Sequence, residues 1–525
     1  MKIERTKNAV KNIKAGIALR IYQTIVPFFM RTAMIYLMGA EYLGLSSLFT
    51  SILSILNMAE LGVGAAMVFA MYRPIAEDDE ETICALMALY HRYYRLIGLF
   101  IAAVGLALTP FIPRLISGEV PAGISVYLLY LLSLSATVLT YWLFAYKNCL
   151  LQAHQRTSVS STITILTYTL QWSVQLVILI VLKNYYLYVI VSLLSQVINN
   201  ILTALTVSRL YPRYTPKGKL PEDRLKEING KIKDLFTGKI GSVVLSASDT
   251  VVISAFLGLT TVAVFQNYNY IAQSVIVVMA IILSSVTAGL GNSFILEDKE
   301  KNFGDMEKLS FMYLWLSGVC VCCFLAMYQP FMELWMGREL MLDYGLVVCF
   351  ALYFFVIVLN RFISSYKDAA GLWHEDRFNP LITALINLGL NLLWIKRWGL
   401  YGILLSTILS MACVGIPWML HILFTQFFNR EQLKKFLSLL LGFVAATALS
   451  GFITALLCAF VTLPPLAKLP VSAAAAVLIP NLVFYVCFRR NKSFKSALEF
   501  ADKLTRGRLG LGRLLPGAGG ITKAN

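Results

Sequence analysis

The sequence predicts an all-α integral membrane protein with about fourteen transmembrane helices. Of its 525 residues 58% are hydrophobic and only 14% are charged, whereas soluble domains carry about 25% charged residues. The apolar residues fall in blocks long enough to cross a bilayer, which takes about 20 residues per helix. A third observation is that the chain resembles itself at an offset near 220 residues. A β-barrel would need short segments alternating in polarity, and these blocks do not alternate.

The spans fall near 15–38, 43–70, 96–113, 123–146, 158–182, 185–208, 240–258, 267–291, 309–327, 344–366, 378–394, 398–424, 436–460 and 469–488. The basic start, Met1 to Lys14, precedes an apolar run carrying Arg20 and Arg31 and lacking a small-residue cleavage site. That run reads as a first membrane helix, not a signal peptide. Thirty-six of the 45 Lys and Arg residues fall at the termini and in the loops on the same side, and six fall in the opposite loops. By the positive-inside rule both termini are expected in the cytoplasm, in a bacterial cytoplasmic membrane. The net charge of +17 is therefore topological, and no nucleic-acid partner is implied. The tail basics Arg489, Arg490, Lys492, Lys495, Arg506, Arg508 and Arg513 either fix topology or also touch anionic membrane lipids, and Gly507–Gly520 reads as disordered.

Gly39 matches Gly258, Glu77-Asp78 matches Glu297-Asp298, Pro110-Phe111 matches Pro330-Phe331, and Tyr146-Lys147 matches Tyr366-Lys367. Six spans separate equivalent positions, so the two halves share one orientation about a pseudo-two-fold axis along the membrane normal. Transporters are often built from such repeats, with the substrate path at the repeat interface. The expected organisation is two parallel six-helix repeats plus two C-terminal helices: an N-lobe 1–208, a cytoplasmic linker 209–239, a C-lobe 240–424, spans thirteen and fourteen in 425–488, and a basic tail 489–525. The acidic stretches after spans two and eight are read as the starts of short cytoplasmic helices.

None of the nine cysteines lies in an external loop, so no disulfide framework is implied. Cys320 and Cys323 form a formal C-x-x-C inside a span and read as small buried residues, with no metal site. No G-x-x-x-x-G-K-[ST], H-E-x-x-H or G-x-S-x-G is present. The external loops are short. No cofactor and no catalytic residue is assigned, and an enzyme is disfavoured.

Ionisable groups at membrane depth cost about 2.5–3.5 kcal/mol or more and normally face a bundle interior or cavity. Arg20 and Arg31 are eleven residues apart, about 20° past three full turns and roughly 16 Å along the axis. They share one face with Thr24 and Pro27, a basic stripe suited to a moving anionic group; snorkelling of Arg20 is the alternative. Asp249 sits mid-span, either as an ion-coupling or counter-charge carboxylate or as a buried acid satisfied by Ser246 or Ser248. Glu60 is a second such carboxylate, or pairs structurally with an arginine of span one. Arg361 is a substrate-binding candidate or a snorkelling cation. Polar stripes accompany these charges: Ser161, Thr164, Tyr168, Gln171 and Gln175 in span five, Asn379, Thr383, Asn387 and Asn391 in span eleven, and Gln266, Asn267, Asn269 and Gln273 at span eight. They either line a wet cavity, with Gln171, Gln175, Asn387 and Asn391 binding substrate, or glue helices together.

The stretches G-A-E-Y-L-G-L-S-S-L-F at Gly39–Phe49, A-E-L-G-V-G at Ala59–Gly64, S-D-T-V-V-I-S-A-F-L-G at Ser248–Gly258 and V-F-Q-N-Y-N-Y-I at Val264–Ile271 carry a resemblance. The chain resembles the multidrug/oligosaccharidyl-lipid/polysaccharide exporter superfamily, and within it the bacterial oligosaccharide-flippase branch, over nearly its whole length. The resemblance implies two six-helix lobes around a V-shaped cavity, alternating access, and an undecaprenyl-pyrophosphate-linked oligosaccharide as cargo for polysaccharide biosynthesis. It implies a pyrophosphate-holding role for Arg20 and Arg31, and polysaccharide polymerase and glycosyltransferases as pathway partners. A cation-coupled drug antiporter of the same fold and a membrane polysaccharide polymerase or ligase are the competing readings.

Overall fold

The computed structural model describes residues 5–118 and 120–504; Arg506, Arg508, Arg513 and the Gly507–Gly520 stretch lie outside the described residues. Among the described residues every regular element is helical. The order is α1 (Arg5–Leu37), α2 (Ala40–Leu56), α3 (Val63–Ala76), α4 (Glu80–Leu108), α5 (Val126–Trp142), α6 (Asn148–Ala153), α7 (Thr157–Val177), α8 (Tyr185–Leu210), α9 (Glu222–Leu257), α10 (Leu259–Leu296), α11 (Lys299–Met336), α12 (Tyr344–Ala369), α13 (Trp373–Asp376), α14 (Asn379–Trp398), α15 (Leu400–Ser410), α16 (Ile416–Ile422), α17 (Arg430–Ala459), α18 (Pro465–Phe488) and α19 (Lys492–Leu504).

Among the described residues twelve helical stretches are long and apolar enough to cross a membrane, and the pair Val126–Trp142 and Ala145–Ala153, bent by 48°, is a thirteenth where it is counted as one span. The helix α1, although 33 residues long, is not in that set. Arg20, Gln23, Pro27 and Arg31 depress its hydropathy, which accounts for the difference from the expected count of about fourteen. This is a multi-pass membrane protein.

Two boundaries differ from expectation. Residues 222–239 are not loop: α9 begins at Glu222 behind Pro221, with Glu222 and Asp223 in its first turn, where carboxylates favour the helix dipole. The stretches after spans two and eight form no separate short helices either. The Asp79 carboxylate accepts from Thr82 N at 3.0 Å and starts α4, and Asp298 accepts from Lys301 N at 2.7 Å and starts α11; no breaker follows, so both run straight into their spans. Thr82 holds the half-buried Asp79 carboxyl below the usual carboxylate range, first through its side chain. The two caps are 219 residues apart, like Gly39 and Gly258, so they are equivalent in the repeat.

The described residues group by backbone proximity into two units, 5–266 with 380–399, and 267–379 with 400–504. The expected lobes follow internal symmetry; this grouping follows contact, and it places α9 and most of α14 with the first half. In the first unit α9 lies along α2 and α3. The turns at Gly39 and Gly258 both have positive φ (123° and 86°), which glycine adopts without the steric penalty other residues meet. Beside them Thr260 Oγ1 donates to Glu41 Oε1 at 3.1 Å, a bond between repeat-equivalent positions. Ser254 Oγ donates to Leu115 O at 2.7 Å and Ser117 N to Ser254 O at 2.9 Å.

A Cβ added at Gly44 would lie 2.1 Å from Leu259 O. Gly44→Ala is therefore expected to destabilise by about 1–3 kcal/mol, the usual range for overpacking. Thermal unfolding of the purified protein in detergent measures it.

In the second unit α11 is central, contacting α12, α17, α18 and α19. The amphipathic α19 is pinned by Phe494, which is buried against Phe311 and Trp315. All nine cysteines are free.

Candidate functional site

Arginine 31 decides where the site is. It projects from α1 one turn beyond Pro27 into a cavity of about 240 Å³. Pro27, Met30 and Met34 accompany it from α1; Leu43, Ser46, Ser47, Thr50 and Ser51 come from α2, Trp172 from α7, Tyr188 from α8 and Gln266 from α10. All of these belong to the first unit.

The α2 wall follows from spacing. Positions 46, 47, 50 and 51 recur at one- and four-residue steps, so four hydroxyls share one helical face. Ser47 Oγ donates to Leu43 O and Thr50 Oγ1 to Ser46 O, both at 2.8 Å. Their protons are thus bound within the helix, and their oxygens present lone pairs outward. Gln266 Nε2 donates to Thr250 Oγ1 at 2.7 Å, which orients that amide. The cavity combines one fixed cation with a row of acceptors and an aromatic side, which suits a ligand carrying both an anionic group and hydroxyls.

Arg20 lies on nearly the same face of α1 as Arg31, but it does not line the cavity and is exposed. The exposed apolar side chains of α1 include Ile13 and Ile17, near the arginine face, as well as Ile21, Ile25, Phe29 and Tyr36 farther round the helix.

The other predicted residues are distributed as follows. Gln175 Nε2 donates to Tyr188 O at 2.9 Å, and Gln171 Nε2 to Gln175 Oε1 at 3.2 Å and Ser192 Oγ at 3.4 Å. These glutamines join α7 to α8 and do not line the cavity; Gln175 holds the backbone of Tyr188, which does. Asn391 Nδ2 donates to Asp249 Oδ1 at 2.7 Å and to Asn387 Oδ1 at 3.2 Å. Both asparagines are fully buried. Asp249 is not held by its neighbouring serines: Ser246 Oγ turns back to Ser242 O, and Ser248 Oγ is buried without a hydrogen bond. The α14 stripe splits, because Asn379 donates instead to Asp376 and Gly415 O. Arg361 is exposed on α12 in the second unit, with its charge beside Tyr313.

Glu60 does not pair with an arginine of span one. Tyr94 Oη donates to its Oε1 at 2.6 Å and Tyr141 Oη to its Oε2 at 3.2 Å. Sequence reading missed these tyrosines, and it missed Ser46, Ser47, Thr50 and Ser51. The serines and threonine carried a signal, four hydroxyls on one face of an apolar span. The tyrosines carried none, since they come from two other helices.

No family model matches the sequence, and no curated protein matches it. Solved structures do. The chain is similar to a lipid II flippase MurJ in an inward closed conformation, with a TM-score of 0.64 and 14% identity over 91% of this chain and 99% of that one. It is similar to an inward-facing MATE multidrug resistance transporter of the MOP superfamily, at 0.58 and 15% over 77% and 96%. A Vibrio cholerae MATE transporter matches at 0.54 and 13% over 80% and 98%.

Proposed function

Because the chain has the fold of the MOP-superfamily transporters, we propose that it is a flippase moving a lipid-linked oligosaccharide across the cytoplasmic membrane by alternating access. The observation that carries this reading is Arg31 set in a cavity walled by Ser46, Ser47, Thr50 and Ser51. A guanidinium at membrane depth costs several kcal/mol unless it faces a partner or a wet cavity, and its planar fork matches phosphate oxygens bidentately. The hydroxyl face and Gln266 meet the first sugar, and Arg20, three turns away on nearly the same face, extends the anionic path. The polyprenyl tail stays in the bilayer. Asp249, held by Asn391 beside Asn387, serves as the ion-coupling carboxylate.

The test is purified protein in liposomes holding an undecaprenyl-pyrophosphate-linked, fluorescently tagged oligosaccharide, with leaflet exchange measured by quencher access. Exchange accelerated over empty liposomes supports the reading. No acceleration, together with gradient-driven efflux of a cationic dye, replaces it with a drug antiporter. Asp249→Asn is expected to leave exchange insensitive to an imposed Na⁺ or H⁺ gradient, which the same assay reads.

A further inference from the structure

The Arg31 cavity has an aromatic side that neither the phosphate nor the coupling ion uses. Trp172 of α7 borders that cavity and is half-buried. Tyr168 lies one turn before it on α7, where a four-residue step puts side chains on one face, and the two rings are 5.4 Å apart. Tyr22 reaches the same indole from α1, at 5.0 Å and 34°. The Tyr22 hydroxyl is itself tied to α7. Thr169 Oγ1 gives its proton to Ile165 O at 2.7 Å, so Tyr22 Oη donates to Thr169 Oγ1. The two tyrosines thus hold the indole from two helices, and the part of the ring they leave uncovered borders the cavity.

The polar groups around the indole are unequal in kind. Ser47 and Thr50 have given their protons to the α2 backbone, and Gln266 has engaged Nε2 with Thr250. Their remaining oxygens are acceptors. The donors in the wall are Arg31 and the Tyr188 phenol. An anionic group therefore meets Arg31, and the rest of the wall calls for a ligand with several O–H donors. The cavity, about 240 Å³, is smaller than the roughly 300–1,000 Å³ of sites for drug-sized ligands. It suits one ring with its anionic group, not a chain of rings.

We propose that Trp172 is the stacking platform of a sugar subsite, taking the C–H face of one pyranose ring with free hydroxyls beside the group that Arg31 holds. The proposal rests on the flippase reading and names the part of the cargo that this cavity distinguishes. A pyranose carries hydroxyls around its rim and C–H bonds on its faces. The face of an aromatic ring is negative and C–H hydrogens are weakly positive, so the sugar lies flat on the indole while its rim reaches Ser47, Thr50 and Gln266. A cationic aromatic ligand would stack as well, but it would meet the Arg31 charge and offer fewer O–H donors. A purely apolar ligand would leave the wall oxygens without partners, which is costly once water is displaced.

The experiment is equilibrium binding to the purified full chain in lipid nanodiscs. The probes are undecaprenyl pyrophosphate, the same lipid carrying one glucopyranose, and that glucosyl lipid with its free hydroxyls replaced by fluorine, which keeps the size and removes the donors. The readout is the ratio of dissociation constants for the bare and the glucosyl lipid. The parent should favour the glucosyl lipid. Trp172→Leu should shrink the ratio about tenfold, and Trp172→Phe less, because a ring remains. Fluorine in place of the hydroxyls should weaken binding to the parent about tenfold. A ratio near one in the parent overturns the proposal. So does a loss in Trp172→Leu that falls equally on both lipids, which is what a merely structural ring would give. Should Trp172→Leu fail to fold, the fluorinated lipid decides: binding to the parent as tight as the glucosyl lipid overturns the proposal, and weaker binding supports it. Binding of neither lipid withdraws the flippase reading and this proposal with it. Binding of both without discrimination leaves that reading standing and removes only the sugar subsite.

Discussion

Replacing Arg31 with alanine is expected to lower substrate exchange by about 10- to 100-fold while leaving the protein folded. A charge-assisted hydrogen bond is worth about 1.5–3 kcal/mol, and each 1.4 kcal/mol is about tenfold. Arg31 lines a cavity of about 240 Å³ with no other Lys or Arg in its wall, so no neighbouring cation in that wall substitutes for it. Arg31→Lys keeps the charge but loses the planar fork and should fall between parent and alanine. The liposome assay measures the exchange, and thermal unfolding in detergent checks the fold. Exchange by Arg31→Ala equal to the parent's would remove Arg31 from the substrate path.

The largest stability effect is expected away from the cavity, at Lys367. Its ammonium lies 2.7 Å from Asp376 Oδ2 and 3.0 Å from Asp368 Oδ1, and both Lys367 and Asp376 are buried. Asn379 Nδ2 bonds the other Asp376 oxygen at 2.9 Å. Lys367→Met leaves the Asp376 charge buried with only that amide, which should cost about 3–5 kcal/mol. Removing both charges together, as Lys367→Met with Asp376→Leu, should recover most of the loss, because the desolvation penalty goes with them. Thermal unfolding of the single and double variants measures the difference. A single variant as stable as the parent would mean that the buried carboxylate finds another partner or takes up a proton.

The depth of Arg31 in an apolar helix was legible in sequence, and so was its placement on one face with Pro27. The serines and threonine of α2 stood in plain view at positions 46, 47, 50 and 51, yet spacing alone did not say which helix would face them. Gln171 and Gln175 illustrate the limit. Their spacing fits a cavity wall or a helix seam equally, and the position of α8 made them a seam. Glu60 invited an arginine partner, since a charge in lipid needs compensation; two tyrosines, Tyr94 of α4 and Tyr141 of α5, supplied it with neutral donors.

The sequence by itself determined the class, the helical spans, the asymmetry of basic loops and the two-fold repeat. In lipid every backbone amide must be satisfied within its own segment, so length, hydropathy and loop charge are properties each segment carries alone. Only the tertiary structure decided which polar groups meet. Helical periodicity gives angles relative to a helix's own axis, and the direction that axis turns toward its neighbours comes from packing, as where Gly44 admits Leu259 and Gly241 admits Pro380 at contact distance. Arg31 became a cavity residue and Glu60 a caged acid because of what other helices brought to them.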